Sequence, residues 1–97
     1  MASYEDLVDL LSAVHIYERK KHRANVVAGH LIVYILKEKC DILPQPEIQE
    51  LLKASTDRLW ENYKNKRTQE KLSSRSAALQ TINDEIEFLK TNFNIKE

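Results

Sequence analysis

Val26-Val27-Ala28-Gly29-His30-Leu31-Ile32-Val33-Tyr34-Ile35-Leu36 is the one long apolar run in a chain of 97 residues, with Arg23 ahead of it and Lys37 directly after it. How this run folds decides how the rest of the chain must fold. Its 11 residues are too few to cross a bilayer, which takes about 20. The part from Leu31 to Leu36 would suit a buried strand. No second strand-like run exists to pair with it, however, and a lone strand leaves its backbone N–H and C=O groups unsatisfied. The run is therefore read as a helix, over residues 26–40. It is apolar around most of its circumference, and a helix of that kind is buried on several sides. Gly29 offers room there for another helix to come close.

The flanking segments are amphipathic and supply the faces such a helix needs. Before it, Leu7, Leu10, Leu11, Val14 and Tyr17 form one stripe at helical period, widened by Val8 and Ile16, which predicts a helix over 4–22. Ser3 followed by Asp6 has the spacing of a capping box, and Glu5 and Asp6 suit the positive end of the helix dipole. Asn25 is a candidate cap for the second helix. No strong breaker lies between the two, so one continuous helix is the alternative. After the run, Leu43-Pro44-Gln45-Pro46 marks a loop, with Pro46 suited to the first turn of a third helix over 46–65. Ile48, Leu51, Leu52, Leu59 and Tyr63 form its stripe, Ser55 holds a register position and Trp60 widens it. From Leu72 onward, Leu79, Ile82, Ile86, Leu89 and Phe93 recur in steps of three and four, with Arg75 in one seam position. This predicts a fourth helix over 69–92, with residues 91–97 fraying. The expected fold is all-α: a single domain built as a small antiparallel bundle of about four helices.

Composition agrees. Apolar residues make up 42% and charged residues 31%, the balance of a folded globular chain. One glycine cannot supply the turns that several hairpins need. The single cysteine, Cys40, excludes a disulfide framework within the chain and fits a reducing compartment. The early acids Glu5, Asp6 and Asp9 stand where a signal peptide would carry basic residues. A cytoplasmic protein with no membrane segment is the expectation.

The 15 basic and 15 acidic side chains cancel, so no net field draws the whole molecule onto a polyanion. Their layout is uneven. Arg19, Lys20, Lys21 and Arg23 form one basic cluster, and Lys64, Lys66, Arg67 and Lys71 form a second. In an up-down bundle both would lie at one end, joined by Arg58 and Arg75, with Glu5, Asp6, Asp9, Asp41, Glu47 and Glu50 at the other. A basic end could dock on nucleic-acid phosphate or an acidic protein face. The plainer reading is that cations at helix C-termini complement the dipole and stay solvated.

No catalytic, metal or nucleotide signature stands out. His15, Glu18 and His22 fall on one side of the first helix, but they lack the H-E-x-x-H order and an evident further ligand. His30 could serve as a base or a pH switch, and more commonly such a histidine sits at a helix boundary. Cys40 reads as an apolar filler near a helix end. Glu85 and Glu87 point to different faces and cannot act as a pair. No cofactor is implied. The functional expectation is a small non-enzymatic protein–protein interaction module, with a second copy of the chain as one candidate partner. Its candidate contact residues are Leu31, Tyr34, Ile35, Trp60, Ile82, Ile86 and Leu89, for which core packing is the plainer role. Nucleic-acid binding through the two basic clusters is the alternative.

Overall fold

In a computed structural model, residues 3–16, 21–42 and 49–92 are described, and for 21–23 the backbone alone. Four helices account for nearly all of them: α1 (Tyr4–Ile16), α2 (Lys21–Tyr34), α3 (Gln49–Thr68) and α4 (Ser74–Asn92). A π-helical turn, Ile35–Lys39, extends α2. No strand occurs among the described residues. Helix α1 packs on α2 and α4, and α3 packs on the same two, so the four close a ring around one core. This is the expected all-α bundle. No helix among the described residues is long and apolar enough to cross a membrane.

The start of α1 follows the sequence rule closely. The Asp6 N–H donates to Ser3 Oγ at 3.1 Å, and the Ser3 N–H donates to Asp6 Oδ2 at 3.3 Å. Two N-terminal donors that the helix cannot satisfy internally are thereby capped. Leu7, Val8, Leu11 and Val14 face the core. Lys39 at the end of the π turn lies over the Tyr4 ring, 5.3 Å from its centroid. The far end of the second helical stretch therefore returns to the start of α1. A single straight helix through both segments is excluded. Residues 17–20, between α1 and α2, lie outside the described residues, and so does the loop expected around Pro44 and Pro46.

Three boundaries differ from expectation. Helix α2 begins at Lys21 rather than 26, so Asn25 sits inside it, exposed, and is not its cap. Helix α3 runs to Thr68 instead of 65, and α4 begins at Ser74 instead of 69. The apolar-free stretch from Lys64 to Lys71 is thus helix first and turn afterwards. Helix α4 ends at Asn92, where it was expected to end, and residues 93–97 of the tail expected to fray lie outside the described residues. The Asn92 side-chain amide donates to the Phe88 carbonyl at 3.0 Å.

The second and third helical stretches stop in the same way. Asp41 and Lys71 take left-handed backbone conformations, with φ of 56° and 55°. The next residue, Ile42 or Leu72, donates its N–H back to Leu36 O at 2.6 Å or Lys66 O at 3.4 Å. Both apolar side chains then pack against the core. This is the logic of a glycine-type helix stop, with its backward hydrogen bond and hydrophobic contact, built on residues that carry a Cβ.

Leu31, Ile32, Ile35 and Leu36 are all fully buried. Sheltering one such side chain from water is worth roughly 1.5–3 kcal/mol. The π turn, closed by the Cys40 N–H on Ile35 O at 2.9 Å, adds a residue to the helical turn and keeps Ile35, Leu36 and Cys40 all on the core side. Helices α1 and α3 flank the apolar run, so the chain covers it with its own side chains. Gly29 does not serve a close helix contact: it is half-exposed, and a Cβ built on it would meet nothing within 4 Å. Gly29→Ala is therefore expected to stabilise the protein by about 0.5–1 kcal/mol, through better helix propensity and a less flexible unfolded chain. Thermal melts followed by circular dichroism would check this.

Candidate functional site

Helix α4 buries Ile82 and Leu89 of its heptad, but its buried line is wider than the heptad suggests. Ala77, Ala78, Thr81, Ile82, Glu85 and Leu89 are buried, whereas Leu79 is exposed and Ile86 is half-buried. Glu85 is the unexpected member, with its side chain 1% exposed. It is held by Arg58 of α3, which donates from Nε to Oε1 at 3.0 Å and from Nη2 to Oε2 at 2.5 Å. The same Nη2 donates to Ser55 Oγ at 2.9 Å, and the guanidinium lies 3.8 Å from the Phe88 ring centroid. A bidentate pair with a stacked guanidinium fixes both position and orientation. Its consequence is structural: it sets how α3 and α4 align.

The charges expected at opposite ends meet instead. Arg75 pairs with both Glu5 and Asp9, which strap α4 to α1, and the Tyr4 hydroxyl donates to Asn83 Oδ1 at 2.7 Å along the same seam. Lys64 pairs with Glu61 at 2.9 Å and Lys66 with Asp84 at 2.9 Å. Arg67 donates to Ser74 Oγ at 3.1 Å and to the Leu72 carbonyl at 3.0 Å, bracing the turn between α3 and α4. Lys71 is exposed at the left-handed position of that turn. The second basic cluster is therefore largely engaged within the chain. In the first cluster, Arg19 and Lys20 lie outside the described residues, and the side chains of Lys21 and Arg23 are not described.

The residues singled out for contact with a partner are core residues. Leu31, Ile35, Trp60, Ile82 and Leu89 are buried, and Tyr34 and Ile86 are half-buried. Trp60 stacks on Tyr63 with ring centroids 5.6 Å apart, and His15 meets the Tyr63 ring edge-on at 5.1 Å. These are stable aromatic arrangements. Contact with a second copy through the fully buried Leu31, Ile35 and Leu89 would require the bundle to open.

The remaining chemistry is quiet. Among the described residues no group of three His, Cys, Asp or Glu could hold a metal. Glu18 and the His22 side chain lie outside them, so of the three only His15 is described. Burial pushes the Cys40 thiol above its ordinary value of 9.0, nearby Lys90 pulls against that, and Glu85 adds to it. The thiol is therefore protonated at neutral pH and is a poor nucleophile. Burial, with a contribution from Tyr34, also raises Tyr4 above its ordinary 10.0. In both cases the folded chain holds its proton more tightly than the unfolded one. The associated stability is complete below about pH 9 and falls as pH rises through the folded values. Cys40→Ala is expected to flatten the first part of that alkaline decline in melting temperature. In the native protein, thiol reagents should label Cys40 only as fast as the bundle opens.

Among the described residues, the large apolar side chains left exposed are Leu10, Ile16, Val26, Val33 and Leu79. Val26 and Val33 belong to one face. With exposed His30 and Lys37 they repeat in steps of four, three and four along α2 and its π turn, and half-exposed Gly29 lies between the two valines. Sequence reasoning named the helix but missed this face, because a helix apolar all round gives no sign of which side its neighbours leave open.

No protein-family model matches the chain, and searches of curated proteins and of solved structures return no significant match.

Proposed function

We propose that the chain is a small cytoplasmic, non-enzymatic protein–protein interaction module, of the adaptor, inhibitor, immunity-type or regulatory kind, that acts by binding through a helix face. The observation that carries this reading is the outer face of α2. Val26 and Val33 are 45% and 38% exposed, two turns apart, on the helix whose opposite side forms the centre of the core. A helix face with apolar residues at i and i+7, and a glycine between them, can meet the apolar stripe of another helix at short range. A rigid scaffold beneath lowers the ordering cost of binding. Nucleic-acid binding is the weaker reading, because Lys64, Lys66 and Arg67 already have partners within the chain.

The test compares wild type with a Val26→Asp/Val33→Asp variant as bait in the source-cell lysate, with helicity and melting temperature measured on both. Proteins held by wild type and lost from an equally folded variant are the expected result. Equal retention by both would overturn the assignment of this face. Sedimentation at high concentration identifies a second copy as the partner, if wild type dimerises and the variant does not.

A further inference from the structure

We draw no further inference here: the strongest candidate, the exposed apolar face of α2 at Val26, Gly29 and Val33, is the surface already proposed for binding, and nothing in the structure shows what covers it.

Discussion

Arg58→Met is expected to lower the stability of the protein by about 3 kcal/mol, the scale found when one partner of a buried ion pair is removed. The loss comes less from the missing attraction than from what is left behind. The Glu85 side chain is 1% exposed, and Arg58 is its hydrogen-bonding cation. Methionine keeps much of the aliphatic stem against Phe88 but leaves a carboxylate in the core without the guanidinium that offsets its desolvation. For a domain of this size, 3 kcal/mol corresponds to a fall in melting temperature on the order of 15 °C. Arg58→Met combined with Glu85→Leu should recover most of that loss, since replacing both members of such a pair by well-packed apolar groups is often neutral or better. Denaturant titrations of wild type, the two single variants and the double variant close the cycle. A double variant no more stable than Arg58→Met would show that the pair contributes through its own attraction, and not through relief of a buried charge.

That pair also marks where sequence reasoning stops. The helical class, the number of helices and the capping box of Ser3 and Asp6 were legible, because each rests on local pattern: one glycine, apolar residues at helical period, and a cap three residues from its partner. The stripe of α3 was legible too, down to Ser55, which is buried where the period requires it. The core line of α4 was legible only in part: Ile82 and Leu89 of its heptad are buried, but Leu79 is exposed. Its register passes through Ala77, Ala78, Thr81 and Glu85, residues that a hydrophobic count scores as neutral or polar. Glu85 becomes a core residue only because Arg58 on another helix comes to it. The end of α3 was missed for a related reason. Stop signals are sought at glycine, and the chain's glycine lies mid-helix. Asp41 and Lys71 take the left-handed conformation instead, at a cost to a residue with a Cβ that Ile42 and Leu72 offset by packing back on the core. The charge layout failed where it assumed that helix ends keep to themselves. Arg75 side-steps to Glu5 and Asp9 along the α1–α4 seam, a lateral contact that no one-dimensional count of charges contains.

Ile35→Glu and Val33→Glu place the same charge on one helical stretch two residues apart, and their expected outcomes are opposite. Ile35 is fully buried. A carboxylate there is placed among the aliphatic side chains of the core, and the cost is several kcal/mol even after relaxation. A chain of this length is stable by roughly 5–15 kcal/mol in total, so Ile35→Glu is expected to abolish most of the native state. The cooperative thermal transition should disappear, and exposed apolar surface should bind a hydrophobic dye. Val33 is 38% exposed, its side chain can turn outward, and glutamate is the better helix former. Val33→Glu is therefore expected to leave stability within about 0.5 kcal/mol of wild type. The contrast separates two explanations for the apolar run. If it were an interface helix covered by a second molecule, Ile35→Glu would yield a folded, monomeric protein. If the chain covers the run itself and offers only its outer edge, Ile35→Glu unfolds the bundle, while Val33→Glu keeps the fold and loses the partner. The burial of Leu31, Ile32, Ile35 and Leu36 commits the molecule to covering the run itself, and the loss of binding expected for Val33→Glu tests the proposed face.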